Sequence, residues 1–490
     1  MKKFVLSLAL YLGLIAHAGV RLPNVLTSDM VLQRDQPVAV WGSAMPGEPV
    51  SVSFAGQVKQ AFANEEGRWS VRLDPMPASF EPRVMRISSS GRDTLLENIL
   101  VGDVWLCGGQ SNMEYPMRIA LKKYAQPARG ENPAEKEWQN GGNANIRLLL
   151  VEKKRSLPDC TTKGWQECSD SSLSVFSMVG YYFGKNLQEA LKVPIGLISS
   201  NWGGTRIEPW TPGSAYENSP VFSAETAVKP YKIDNSEVGS LYNSMIAPLA
   251  PFGLKGFIWY QGESNAMFED ARYVEKTALM LDAWRSVFQN PTAPFYYVQI
   301  APFYYTKRKD KIPHSPQMLP WFWEQQTNCL TLPNTGQVVV TDLVDKLSDI
   351  HPSYKWEVGR RLSLVALNKT YGRAGLVCSG PVFKSMQAKG KTLVLAFDHI
   401  GSGLTAGRHN EQTNAFETLP ETGLTGFEVA TQGDTLFHAA KAVIKNGRVL
   451  VTCPEVKKPA QVRFCWNETA MPDFFNIEGL PAVPFRVVSK

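Results

Sequence analysis

The sequence predicts an α/β protein: a three-layer α/β/α core on a mainly parallel sheet, flanked by an N-terminal and a C-terminal β-domain. Three observations predict it. Between residues 99 and 372, mostly apolar runs recur with helical patterns between several of them. On either side of that span the runs are short and β-rich. The 490 residues suffice for a large core and for several domains at ~100–200 residues each.

The chain opens Met1-Lys2-Lys3, runs apolar over residues 4–15 and reaches Ala16-His17-Ala18 before Gly19. Two positive charges, a short apolar core and a small-x-small exit make residues 1–18 a secretory signal peptide, cleaved near Ala18. The run is too short for a convincing membrane span, and Arg21-Leu22-Pro23-Asn24 breaks any helix. No cysteine follows the cleavage site to carry a lipid. The expected location is secreted or periplasmic. The formal charge of +6 falls by two once the signal lysines leave, and no dense Lys/Arg run remains. Nucleic acid is therefore a poor partner.

Residues 19–98 form the first expected domain, β-sandwich-like. Pro37-Val38-Ala39-Val40-Trp41-Gly42, Val50-Ser51-Val52-Ser53-Phe54 and Trp69-Ser70-Val71-Arg72-Leu73 are short β-rich runs, with turns at Pro46-Gly47-Glu48 and Gly67. Residues 99–373 form the second, with strand-like runs at 101–106, 146–151, 196–199, 256–260, 295–300 and 337–341. Helical patterns at 175–191 and 271–288 lie among them. Parallel sheets of this kind bind ligands at the carboxyl ends of their strands. From 374 to 490 β texture returns, as in Thr392-Leu393-Val394-Leu395-Ala396-Phe397 and Arg448-Val449-Leu450-Val451-Thr452.

Seven cysteines are present, an odd number that leaves at least one free if all bonds are internal. Cys160 with Cys168 would close a small loop, and Cys453 with Cys465 would join neighbouring strands. Cys107 and Cys329 read equally well as buried hydrophobes. No spacing fits a structural zinc site.

Four polar segments follow separate strand-like runs. The first is Cys107-Gly108-Gly109-Gln110-Ser111-Asn112-Met113-Glu114. A serine at a strand-to-helix turn is presented at the sheet edge, where the helix N-terminus favours a developing oxyanion. Taken alone, a plain helix cap is the simpler reading of Ser111. Met113 replaces the second glycine of the Gly-x-Ser-x-Gly elbow. The second is Ser199-Ser200-Asn201-Trp202-Gly203-Gly204-Thr205, whose glycines let backbone N–H groups approach a ligand. The third is Gln261-Gly262-Glu263-Ser264-Asn265. A Gln261 or Asn265 amide there could donate to an oxyanion, and Glu263 could orient neighbours or bind a sugar hydroxyl. The fourth is Asp345-Lys346-Leu347-Ser348-Asp349-Ile350-His351-Pro352. Histidine is the natural base for a serine, and it needs a carboxylate on its other nitrogen. Asp349 and Asp345 both qualify.

These segments resemble the sialate O-acetylesterase family of the SGNH hydrolase superfamily. The likeness is carried by Gly109-Gln110-Ser111-Asn112-Met113, Asn201-Trp202-Gly203-Gly204-Thr205, Trp259-Tyr260-Gln261-Gly262-Glu263-Ser264-Asn265 and Asp349-Ile350-His351-Pro352. Phe176-Ser177-Met178-Val179-Gly180-Tyr181-Tyr182-Phe183 and Leu241-Tyr242-Asn243-Ser244-Met245-Ile246 support it. The resemblance implies an SGNH-type fold and a metal-free, cofactor-free serine esterase that removes acetyl groups from sugar hydroxyls. It implies Ser111 as nucleophile, His351 as base and Asp349 as acid. The Ser111 and Gly204 N–H groups with Gln261 would form the oxyanion hole, supported by Gly203, Glu263, Asn265 and Asp345. The superfamily usually places its acid three residues before the histidine, where Ser348 stands here, so Asp345 stays an alternative. The implied substrate is an acetylated glycan, foremost 9-O-acetylated sialic acid. Acetylated xylan and a non-catalytic glycan-binding role are the rivals. Oligomeric state is left open.

Overall fold

The structure is a computed structural model and describes residues 19–488 apart from 141, 156, 310–311 and 421–422. The signal peptide expected at 1–18 lies outside the described residues.

The central sheet has the order Thr335–Val338, Phe295–Val298, Gly256–Tyr260, Arg92–Gly109, Ile195–Asn201, Asn143–Val151, Thr162–Cys168. The first six strands pair in parallel and the last is antiparallel. The sheet is therefore mostly parallel, as the alternation of apolar runs and helices requires. Successive residues of its strands point to opposite faces and enter two separate clusters. Val104, Leu106, Phe257, Trp259, Phe295 and Tyr297 bury against helices Tyr273–Val287 and Met318–Asn328. Trp105, Cys107, Ile258, Tyr260, Tyr296 and Val298 bury against helices Met178–Leu191 and Lys355–Lys369. The segment Pro320-Trp321-Phe322-Trp323 belongs to this packing: Phe322 and Trp323 are fully buried.

Strand Arg92–Gly109 is 18 residues long and belongs to two regions at once. Its first half pairs with Ser79–Ser89 of the N-terminal β-region, and its second half with Ile195–Asn201 and Gly256–Tyr260. The boundary expected between residues 98 and 99 thus falls inside a continuous strand. The N-terminal β-region also shares its apolar cluster with one face of the central sheet. The C-terminal β-strands, by contrast, enclose a cluster of their own, including Leu393, Leu395, Phe427, Phe464 and Phe474. That region is tied to the central one by His409 Nε2 on Asp342 Oδ2 (2.7 Å), a carboxylate also held by Arg361.

The expected disulfides are a correction. All seven cysteines are free and buried. Cys453 and Cys465 flank strands Arg448–Thr452 and Gln461–Phe464, which are not neighbours in any sheet. Burial pushes the Cys168 thiol up to about 11 and those of Cys160 and Cys329 up to about 12. They are packing groups rather than thiolates.

Candidate active site

The four predicted segments follow the carboxyl ends of strands in this one sheet. Three of the strands, Gly256–Tyr260, Arg92–Gly109 and Ile195–Asn201, are adjacent. The backbone leaves strand Arg92–Gly109 through Gly109 at φ +142°, where a Cβ would lie 2.2 Å from the Tyr260 carbonyl oxygen. Only glycine fits that turn. A short helix, Ser111–Glu114, follows with Gln110 at its cap and no side-chain capping bond. Ser111 is therefore not the helix cap.

Its hydroxyl goes to the histidine instead: Ser111 Oγ lies 2.9 Å from His351 Nε2. Asp349 Oδ1 accepts the His351 backbone N–H at 2.9 Å and stands 3.8 Å from Nδ1. The other candidate acid is engaged elsewhere. Asp345 accepts the Ala128 N–H (2.7 Å), the Tyr354 hydroxyl (2.7 Å) and Arg129 Nε (3.2 Å). Burial and the Lys355 charge push the His351 imidazole below its usual value, while Asp349 and Glu114 oppose this. A proton on Nδ1 beside Asp349 leaves Nε2 able to accept from serine.

Gly203 and Gly204 come up beside the serine. A Cβ on Gly203 would lie 3.2 Å from Ser111 Cβ and 3.2 Å from Glu114 Oε2, so any larger residue would press on the serine turn. The Gly203 N–H donates to Glu114 Oε2 at 2.7 Å. The Gly204 N–H has no backbone acceptor among the described residues. Ser111 stands in the first helical turn, where an N–H has no intrahelical acceptor.

The amide expected from the third segment is a correction. Gln261 is fully buried. Its Nε2 donates to Asn265 Oδ1 (2.7 Å), the Thr205 carbonyl (3.2 Å) and Gln110 Oε1 (3.2 Å). Asn265 is equally committed, with Nδ2 on Asp270 Oδ2 (2.7 Å) and Oδ1 accepting the Ile207 N–H (3.0 Å). Both amides brace the loops beneath the serine instead of facing the cleft. The bracing ends on a buried charge cluster. Lys276 Nζ donates to Glu208 (2.7 Å), Asp234 (2.5 Å) and Asp270 (2.8 Å), so the ammonium occupies the point where these three carboxylates converge.

Glu263 is buried too. Its Oε1 accepts from Asn112 Nδ2, and burial raises its carboxyl above the usual range. Asn112, Glu114 and Lys355 had no role assigned from sequence, although Asn112 and Glu114 stand in the serine segment itself.

Ser111 and His351 open onto a cleft of about 310 Å³. Tyr115, Pro116, Ile119 and Ala125 give it an apolar side, and Glu114 and Asp349 a polar one. If Asp349 is the acid, Asp349→Asn lowers kcat steeply, whereas Asp345→Asn changes mainly stability. Steady-state kinetics and thermal melts of both variants separate the two. A crippling Asp345→Asn with normal folding reverses the assignment.

A carboxylic ester hydrolase is the class that this fold and this serine–histidine pair define. A family model described as carbohydrate esterase, sialic acid-specific acetylesterase matches residues 101–367. The sialate O-acetylesterase of Homo sapiens is 31% identical over 415 residues, covering 77% of this chain and 76% of that protein. The Mus musculus sialate O-acetylesterase is 30% identical over 446 residues, covering 78% and 80%. A crystal structure of a carbohydrate acetylesterase from Xanthomonas citri is similar at TM-score 0.82 and 34% identity, covering 96% of this chain and all of that one. The chain belongs to the sialic acid-specific acetylesterase family of carbohydrate esterases.

Proposed function

We propose that this protein is an exported serine esterase that removes O-acetyl groups from sugars, with 9-O-acetylated sialic acid as its foremost substrate. The observation that carries the chemistry is the 2.9 Å approach of Ser111 Oγ to His351 Nε2 at a cleft. Ser111 attacks the acetyl carbonyl as His351 takes its proton. The Ser111 and Gly204 N–H groups hold the oxyanion. His351 returns the proton to the departing sugar oxygen, and water then hydrolyses the acetyl-enzyme. Asp349 is the acid partner.

The sialic acid reading rests on the family description and on what the mammalian relatives are called. One observation favours a second reading. Among the described residues the cleft lining includes two carboxylates, Glu114 and Asp349, and no Lys or Arg, although Lys153 pairs with Glu114 from outside it (2.6 Å). That suits a neutral sugar such as acetylated xylan. Acetate release from 9-O-acetylated sialic acid and from acetylated xylan, assayed side by side, decides between them. Export is supported by the Met1-Lys2-Lys3 start and the Ala16-His17-Ala18 exit. No helix of the described residues is long and apolar enough to cross a membrane.

The pH profile follows from His351. The base must be neutral to accept the serine proton. Its affinity for protons is lowered, so a larger neutral fraction survives at acid pH. The acid limb of kcat/KM is expected below the ordinary histidine value of about 6.5. A limb at or above that value contradicts the assignment.

A further inference from the structure

Between the serine turn and the histidine loop lies a buried pair of opposite charges that no step above uses. Lys355 opens helix Lys355–Lys369, and its side chain is fully buried. Its Nζ donates to Asn112 Oδ1 and sits over the rings of Tyr115 and Tyr260, at 5.2 and 5.3 Å from their centres. Asn112 follows Ser111 directly. Its Nδ2 donates to Glu263 Oε1 and to the carbonyl of Ile350 (3.0 Å), the residue before His351. One amide thus joins the turn carrying the nucleophile to the loop carrying the base. Glu263 Oε2 is buried without a hydrogen-bond partner among the described residues.

We propose that Lys355 is a positioning residue: its ammonium orients the Asn112 amide, and the oriented amide holds Ser111 and His351 in register. The proposal rests on the Ser111–His351 reading. The orientation follows from donor chemistry. An ammonium only donates, so it selects the amide oxygen; a carboxylate and a carbonyl only accept, so they select the amide nitrogen. A rotated Asn112 would set NH₂ against NH₃⁺ and oxygen against oxygen, and the tie to Ile350 would be lost. In a dry site such mismatches are costly. A small displacement of a reacting group is enough to cost rate.

The same charge acts on the base. His351 is faced by Asp349 on its own loop, by Ser111, Glu114 and Tyr115 from the serine side, and by Lys355 from the helix. Lys355 lowers the proton affinity of His351; Asp349 and Glu114 raise it. Burial pushes Lys355 itself down to about 7, and the Glu263 charge works against this.

The test is Lys355→Met, read by steady-state kinetics across pH and by thermal melting. The expected result is kcat down roughly 10–100-fold with KM nearly unchanged. The acid limb of kcat/KM moves to higher pH, because a charge disfavouring imidazolium is gone. A residue serving only the fold would not move that limb. Wild-type kcat, or a raised KM alone, overturns the proposal. Removing one partner of a buried pair can unfold a protein. The double variant Lys355→Met/Glu263→Gln therefore removes both charges together. It is expected to fold, with kcat still low and the limb still raised. A folded double variant with wild-type kcat and pH profile overturns the proposal, and so does the failure of both variants to fold. Labelling by a fluorophosphonate, with Ser111→Ala as control, tests the underlying serine reading separately. If labelling depends on Ser111 while the Lys355 variants behave as wild type, only the positioning role falls.

Discussion

Ser111→Ala is expected to abolish acetate release from p-nitrophenyl acetate and from acetylated sugars, a loss on the order of 10⁴–10⁶-fold. The serine hydroxyl bonds to His351 and does not cap its helix, so its removal deletes the proposed nucleophile without removing a capping bond. Thermal stability should therefore stay close to that of the unmodified chain. His351 would still be present as a base, and any residual rate would come from water activated there. A variant that melts normally and hydrolyses acetate esters near the original rate would remove Ser111 from the mechanism.

The second large effect is expected in stability. Lys276→Met should destabilise the protein by about 3–5 kcal/mol, the usual cost of breaking a buried ionic group by removing one partner. Lys276, Glu208 and Asp270 have essentially no side-chain exposure, and Asp234 is partly exposed. Without the ammonium, three carboxylates face one another with Arg206 and Arg272 as their remaining cationic partners. The burial pushing Lys276 towards neutrality is outweighed by Glu208, Asp270 and Asp234, which raise its proton affinity overall. The cation therefore persists across the physiological range. Because Asp270 carries Asn265, and Asn265 carries Gln261 and then Gln110, the disturbance should reach the residue before Ser111. Denaturant unfolding measures the first effect. A change below about 1 kcal/mol would show that the cluster is a surface-like ion pair in energetic terms.

That Ser111 and His351 meet was legible because each is a chemically distinctive residue in a polar segment that follows an apolar run. The parallel sheet was legible because its strands are buried on both faces and read as mostly apolar runs. The bracing was not. Asn112 meets Glu263 across 151 positions and Lys355 across 243, and no local pattern reports such contacts. Gln261 was misread because an amide near a sheet edge looks the same whether it faces the cleft or the core. Its three acceptors are distant in sequence or hidden by the fold of the loop. The choice between Asp349 and Asp345 stayed open for a related reason: both precede His351 on one loop, and the positions of Ala128, Arg129 and Tyr354 show where Asp345 is held. The cysteine pairings failed because spacing says nothing about which strands end up side by side.

Strand Arg92–Gly109 sets a limit on how this molecule could be cut. A gene fragment starting at residue 99 would begin in mid-strand and discard the pairing with Ser79–Ser89. It would also discard Val31–Gln33, which pairs in parallel with the same strand at Leu100, Val101 and Gly102. The strand that leads into the Ser111 turn would then have a free, unsupported tail. For protein engineering, the amino-terminal β-region is therefore the anchor of the strand that leads to Ser111, not an accessory to be trimmed, whereas the carboxy-terminal β-region has a core of its own and meets the central region through side-chain contacts such as His409 with Asp342, Glu468 with Thr306 and Arg486 with Glu324.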